Sequence, residues 1–212
     1  MASDLCGQGG EYPSDCQLTE ALRERAMKRN KAVERTAAWK AVLPLAKNVK
    51  LLLLDVDGVL TDGQLQYSNS GDECKRFSTQ DGLGIRLLQE SGVEVGIITA
   101  RTSQIVERRA VELKMAHIYQ GKFDKLTAYE DILKKTGLRP PQTAYMGDDW
   151  VDLPLLNRVG FAVTPANGVV EIRNKVHYIS EKSGGNGAVR EICDLIMEAQ
   201  GTYSTMFARF DK

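Results

Sequence analysis

An apolar run ends in Leu54-Asp55-Val56-Asp57-Gly58-Val59-Leu60-Thr61, with two carboxylates two residues apart. Carboxylates brought together repel unless a cation or a proton compensates. A hard divalent cation such as Mg²⁺, with oxygen ligands and retained waters, is the natural partner. An EF-hand calcium loop is the competing pattern. The segment fails it, because Val59 stands where that loop wants an oxygen side chain and Gln66 stands near its terminal Glu. An ordinary surface turn opening on an aspartate is the other alternative for this segment taken alone.

A second acidic turn, Gly147-Asp148-Asp149-Trp150-Val151-Asp152, follows another apolar run, Ala144-Tyr145-Met146. Asp149 and Asp152 also suit the acidic N-terminus of a helix, where the dipole favours them. That alternative does not explain two acidic turns at two strand ends. Ile97-Ile98-Thr99-Ala100-Arg101 ends a third strand in a hydroxyl, a weak signal alone because Thr is a good strand and cap residue. Lys125, in Gly121-Lys122-Phe123-Asp124-Lys125-Leu126, opens a helix. A lysine there opposes the helix dipole unless an anion is present; a solvated lysine is the bland alternative.

The elements that must carry these residues alternate. Strands are predicted over residues 49–56, 93–99, 143–146, 161–163 and 177–179. Helices are predicted over 82–90, 103–113, 124–136, 150–157 and 188–199. Continuous apolar strands separated by helices predict a parallel sheet covered on both faces, with ligands beyond the carboxyl ends of its strands. Both acidic turns then reach one edge and share one cation. Residues 63–77 read as a projecting β-hairpin, with Leu65-Gln66-Tyr67 and Lys75-Arg76-Phe77 as its arms.

Four segments follow: a mobile tail over 1–13, a helical extension over 14–46 whose helix stops before Pro44, a body over 47–201 and a C-terminal tail over 202–212. Ser14 and Gln17 fit a capping box. The tail's Tyr203, Phe207 and Phe210 are unusual for a solvated end.

Twenty-eight basic against 28 acidic side chains give zero formal charge, which removes the signature of a nucleic-acid binder or a polybasic membrane-surface protein. Apolar runs such as Leu51 to Leu54 fall far short of the ~20 residues that span a bilayer. The first residues carry no secretory-signal pattern. Cys6, Cys16, Cys74 and Cys193 form no CxxC pair and read as free thiols in a reducing compartment.

In chain order the sequence offers DxD, a strand-end Thr, a Lys and GDDxxD. This resembles the haloacid dehalogenase superfamily, whose sheet is Rossmann-like. The resemblance implies an α/β three-layer sandwich. It implies Asp55 as nucleophile, forming an aspartyl-phosphate, and Asp57 as the acid and base for leaving alcohol and water. Thr99 would donate to a phosphoryl oxygen and Lys125 would neutralise charge. Mg²⁺ would lie on Asp55, Asp148 and the Asp57 carbonyl, with Asp149 and Asp152 supporting from behind. Ala100 departs from the family, which often has Gly there.

Superfamily members differ in inserted caps. Asp57 to Thr99 spans 42 positions and Thr99 to Lys125 spans 26. The hairpin, one helix and one strand fill the first gap; one helix and one short strand fill the second. Neither holds a cap, so the substrate is macromolecular or another subunit covers the site. Wider matches decide between these. They are residues 55–63, Gly71-Asp72-Glu73-Cys74-Lys75-Arg76-Phe77, Asp81-Gly82-Leu83-Gly84-Ile85-Arg86, Tyr119-Gln120-Gly121, Gly147-Asp148-Asp149 and Gly184-Gly185-Asn186-Gly187-Ala188-Val189-Arg190-Glu191. They resemble the capless phosphatase family acting on 3-deoxy-D-manno-octulosonate 8-phosphate, a lipopolysaccharide precursor. That resemblance implies a cytoplasmic homotetramer without nucleic-acid or membrane partners. It implies substrate contacts from Ser78, Thr79, Gln80, Asp81, Gly82, Arg86, Arg101 and Arg109. Guanidinium forks suit a substrate with carboxylate and phosphate ends, although each arginine alone also reads as a solvated helix residue. Arg190 is expected to bind an anion or pair with Glu191. A nine-carbon sugar-acid 9-phosphate and a non-catalytic assembly role are the competing readings.

Overall fold

The computed structural model describes residues 14–29 and 34–211; the tail expected over 1–13, with Cys6, lies outside the described residues. The chain divides into two compact units, residues 1–36 and 37–212. In the first, helix α1 (Asp15–Arg29) is polar, and Leu18 and Leu22 on it are exposed. Its capping box is formed: Ser14 N–H donates to Gln17 Oε1 at 2.9 Å and Gln17 N–H to Ser14 Oγ at 3.4 Å.

The second unit begins with α2 (Ala37–Ala46), which runs through Pro44 instead of stopping before it. Burial of Trp39, Val42 and Ala46 in the core holds this short helix although Pro44 donates no hydrogen bond. Then follow β1 (Leu51–Leu54), β2 (Gln66–Tyr67), β3 (Glu73–Cys74), α3 (Thr79–Glu90), β4 (Glu94–Ile98), α4 (Gln104–Glu112), β5 (His117–Tyr119) and α5 (Lys125–Thr136). The chain continues through β6 (Thr143–Met146), a 3₁₀ turn at Trp150–Asp152, α6 (Leu153–Leu156), β7 (Phe161–Thr164), α7 (Val170–Arg173), β8 (Tyr178–Ile179), α8 (Ala188–Ala199) and α9 (Tyr203–Phe207).

Six strands form one parallel sheet in the order β5-β4-β1-β6-β7-β8. β1 lies inside it, and its four leucines are all buried. Leu52 and Leu54 enter one core, with Trp39, Ile85, Leu88, Val106, Ile192 and Leu195. Leu51 and Leu53 enter the other, with Tyr129, Ile132, Leu155 and Ile172. The period-two alternation of a strand thus splits one apolar run between two cores, giving helix, sheet and helix layers. Cys16, Cys74 and Cys193 are free thiols.

Several boundaries differ from the sequence reading. β1 stops at Leu54 rather than reaching residue 56. The chain winds into a turn there, in which the N–H groups of Val59, Leu60 and Thr61 all reach the Val56 carbonyl. The helix expected over 150–157 is a 3₁₀ turn followed by one turn of α6. The second hairpin arm lies at Glu73–Cys74, before the expected residues 75–77. The register Gln66 with Cys74 and Tyr67 with Glu73 is closed by a turn at Gly71 (φ +87°). The C-terminal tail carries α9, whose Tyr203 and Met206 pack on the core while Phe207 and Phe210 stay exposed. Among the described residues only the hairpin, α3, β4, α4 and β5 fill the two gaps, and none of them forms a cap.

Leu52→Ala, which opens a cavity beside the central strand, is expected to cost about 2–5 kcal/mol in urea denaturation. Leu18→Ala on the exposed face of α1 is expected to shift the same transition by less than about 0.5 kcal/mol.

Candidate active site

Three neighbouring strands deliver the site. Asp55 follows β1, Thr99 follows β4 and Asp148 stands two residues beyond β6. Asp55 N–H donates to the Met146 carbonyl at 2.9 Å, which holds the two acidic turns side by side. Thr99 is buried, and its N–H donates to the Tyr119 carbonyl at 2.9 Å. The approach of the turns demands glycine. A Cβ on Gly58, which has φ +93°, would lie 2.0 Å from Asp148 Oδ2. A Cβ on Gly147 would lie 2.4 Å from the Asp152 carboxylate carbon.

Lys125 is the first residue of α5, and Asp124 caps that helix by accepting from the Leu126 and Thr127 N–H groups. Its ammonium is buried, 2.8 Å from Asp55 Oδ1 and 2.6 Å from Asp152 Oδ1, and donates to Tyr145 Oη at 3.1 Å. Tyr145 donates in turn to Asp152 Oδ1 at 2.6 Å. The other Asp152 oxygen accepts the N–H groups of Asp148 at 2.9 Å and Asp149 at 3.2 Å. Asp152 is therefore consumed in orienting Lys125 and the second acidic turn. Asp149 is exposed and accepts from the Trp150 N–H at 2.7 Å, the helix-cap alternative noted from sequence.

The electrostatics are those of a site built for a cation. Burial, and then Asp152, push Asp55 up to about 6 against the opposing pull of Lys125. Burial, followed by Asp55, Asp152 and Asp149, pushes Asp148 up to about 7. Burial disfavours the charged form of Lys125, but Asp55 and Asp152 outweigh it and raise its pKa. Carboxylate oxygens of Asp55, Asp148 and Asp152 lie within 4.8 Å of one another. Asp148 Oδ1 is buried with no hydrogen-bond partner among the described residues. An orphaned anionic oxygen among hard donors fits Mg²⁺.

The other expected residues fall into two groups. Asp57 Oδ1 accepts from Lys75, and its Oδ2 lies 3.6 Å from Arg101 Nε. At the start of α3, Ser78 is the N-cap, its Oγ accepting from the Asp81 N–H at 3.3 Å. Thr79 and Gln80 are exposed and Arg86 is half-buried. Arg109 donates to the Ser78 carbonyl at 3.4 Å and lies where a Cβ on Gly82 would be, 2.4 Å from Nη2. Asp81 is buried, and its carboxylate accepts from Gly187 N–H at 3.3 Å and Arg190 N–H at 2.8 Å, so it caps α8. Arg190 pairs with Asp194 at 2.8 Å rather than with Glu191, whose carboxylate accepts from Tyr178 and Ser180.

Three contributors were missed from sequence. Tyr145 read only as a strand residue. Lys75 read as part of a hairpin arm. Asn167 carried no signal, yet its side chain donates to the Gly58 carbonyl at 3.0 Å and accepts from Gly184 N–H at 2.7 Å. It ties the first acidic turn to the Gly184 loop, where a Cβ would lie 1.9 Å from the Gly58 carbonyl oxygen.

The raised carboxylates mean that the folded, metal-free protein binds more protons than the unfolded chain between about pH 4 and 7. Its stability therefore falls as pH rises through that window. Thermal melts are expected to show this fall, and to show Mg²⁺ raising Tm more at pH 8 than at pH 5. Asp148→Asn is expected to raise the metal-free Tm at pH 8 by about 2–5 °C and to abolish the Mg²⁺ shift. Lys125→Ala, which strands two buried carboxylates, is expected to cost about 3–5 kcal/mol in denaturant titration.

A family model for haloacid dehalogenase-like hydrolases matches residues 103–192. The 3-deoxy-D-manno-octulosonate 8-phosphate phosphatase of Salmonella typhi is 44% identical over 160 residues, 76% of this chain and 85% of that protein. The crystal structure of the Moraxella catarrhalis phosphatase of the same name, in complex with magnesium, phosphate and a KDO molecule, aligns with TM-score 0.79 and 46% identity. It covers 81% of this chain and 98% of that one. The cobalt-bound Haemophilus influenzae phosphatase aligns with TM-score 0.74 and 38% identity, over 77% and 99% of the two chains. Catalytic-edge geometry, a capless parallel sheet and this extent of identity lead to one conclusion: the chain belongs to the haloacid dehalogenase-like hydrolases, in their 3-deoxy-D-manno-octulosonate 8-phosphate phosphatase family.

Proposed function

We propose that this chain is a Mg²⁺-dependent phosphatase that hydrolyses 3-deoxy-D-manno-octulosonate 8-phosphate to the sugar acid and inorganic phosphate. The observation that carries the reading is the Asp55 carboxylate set 2.8 Å from the buried Lys125 ammonium, beside the Asp148 oxygen that has no hydrogen-bond partner among the described residues. Asp55 attacks phosphorus and the bond from phosphorus to the sugar's 8-oxygen breaks. The electron pair leaves with that oxygen, and Asp57 gives it a proton. Water then attacks the aspartyl-phosphate, Asp57 takes the water's proton, and phosphate departs with Asp55 restored. Thr99 donates to a phosphoryl oxygen, while Lys125 offsets charge on Asp55 and on the phosphoryl group. Asp55, Asp148 and the Asp57 main-chain carbonyl would hold Mg²⁺, which would supply the positive charge that lets a carboxylate approach a phosphate dianion.

In this reading residues 47–201 are the phosphatase domain, and residues 78–82, Arg86, Arg101 and Arg109 serve the carboxylate and hydroxyl end of the substrate. Asp149 supports the metal turn by capping its 3₁₀ turn. The chain works as a cytoplasmic homotetramer. Support for assembly comes from the open site: without a cap, water weakens electrostatic catalysis on a small substrate, and a neighbouring subunit removes that water. No helix among the described residues is long and apolar enough to cross a membrane.

Phosphate release from the eight-carbon substrate is expected to require Mg²⁺ and to fall about 10³-fold or more in Asp55→Asn. Faster turnover of a nine-carbon sugar-acid 9-phosphate would overturn the substrate assignment. Wild-type protein inert towards every sugar phosphate would favour the assembly role. Gel filtration is expected to show a tetramer; a fully active monomer contradicts the subunit-closure argument.

A further inference from the structure

The hairpin ends in a lysine that the reaction as described does not use. The Lys75 side chain is 1% exposed although it comes from a two-stranded ribbon whose tip lies in solvent. Its ammonium donates to Asp57 Oδ1 and lies 3.4 Å from Glu73 Oε1. Glu73 is itself pinned, since Oε2 accepts from Ser103 Oγ at 2.6 Å and Oε1 from Arg101 Nη2 at 3.3 Å. Arg101 Nη2 also donates to Tyr67 Oη at 2.6 Å on the opposite hairpin arm. Burying an ammonium costs several kcal/mol unless it is paired and the geometry is good, so a lysine placed here marks a position where its charge and direction matter. The pairing leaves the two Asp57 oxygens unlike each other. Oδ1 is occupied by Lys75, whereas Oδ2 accepts no hydrogen bond among the described residues and has Arg101 Nε 3.6 Å away.

We infer that Lys75 is a positioning residue for the proposed phosphatase reaction. By holding Oδ1 it fixes the Asp57 side chain so that Oδ2 is the oxygen that passes a proton to the leaving sugar oxygen and takes one from the attacking water. The inference rests on the phosphatase reading and adds to it the group that orients the acid. General acids act only within hydrogen-bond reach of the atom they protonate, so geometry precedes all else. The hairpin, the β4–α4 loop and the first acidic turn meet at this one carboxylate.

Leaving-group chemistry separates this role from a merely structural one. The alkoxide of a sugar phosphate must be protonated as it departs, whereas the nitrophenolate of p-nitrophenyl phosphate leaves without a proton. In Lys75→Met, kcat/KM for 3-deoxy-D-manno-octulosonate 8-phosphate is expected to fall about ten- to a hundred-fold through kcat, with KM within about twofold. The p-nitrophenyl phosphate value is expected to stay within about threefold. Lys75→Arg restores most of the loss, and Lys75→Met added to Asp57→Asn produces no further loss. Equal losses on the two substrates, no loss on either, or additive losses with Asp57→Asn overturn the inference. If Lys75→Met melts below the assay temperature, Glu73→Gln, which loosens the lysine, makes the same comparison and must show the same substrate selectivity. Wild-type protein inactive on both substrates refutes the phosphatase reading itself; active wild type with an unselective Lys75→Met refutes only the positioning role.

Discussion

One buried ammonium organises the catalytic edge. Lys125 sits between Asp55 and Asp152, and neither carboxylate is placed for any other described cation to neutralise it at comparable range. Taking three charges out of water is costly, and here the loss is offset by hydrogen bonds to every partner. Tyr145 supports the lysine and Asp152 together, and Asp152 passes the constraint to the second acidic turn through two main-chain N–H groups. A lysine at the start of α5 thereby fixes the β1 and β6 turns in one geometry. The dipole conflict that marked Lys125 in the sequence is settled by those two anions.

The same arrangement leaves a deliberate imbalance. Two anions flank one lysine, and the Asp148 carboxylate brings a third beside them, with one oxygen lacking a hydrogen-bond partner among the described residues. Burial and mutual repulsion raise Asp55 and Asp148 far above ordinary carboxylates. A metal-free site is therefore electrostatically strained, and the strain is of the kind a hard divalent cation relieves. Backbone packing makes the strain possible. Gly58, Gly147 and Gly184 let main chain and carboxylate approach to distances that any side chain would block.

Around this rigid floor the walls are polar and built from ribbon and loops. The hairpin, with Lys75, Glu73 and Tyr67, meets Arg101 and Ser103 from the loop after β4 in a network that ends on Asp57. Asp55 and Asp57 are thus held by different means, one by a buried lysine on a helix and the other by a lysine on a ribbon. This division lets the floor stay fixed while the wall around Asp57 is supported from loops.

Much of this was legible from residue order. Apolar runs broken by helices determined a parallel sheet, because only strands buried on both faces are apolar throughout. Asp55, Thr99, Lys125 and Asp148 were identifiable because each sits where an apolar period stops at a strand end or a helix start. Boundaries were less legible: β1 ends at Leu54 because Val56, still apolar, turns its carbonyl towards three N–H groups rather than a neighbouring strand. Tyr145, Lys75 and Asn167 were invisible for a common reason. Their partners, Asp152, Asp57 and Gly58, lie outside any local period, and for Asn167 and Gly58 the separation is 109 residues. Sequence by itself determined which chemical groups stand at the strand ends. Only the tertiary structure decided which carboxylate each cation serves, because that pairing depends on distances set by packing between elements far apart in the chain.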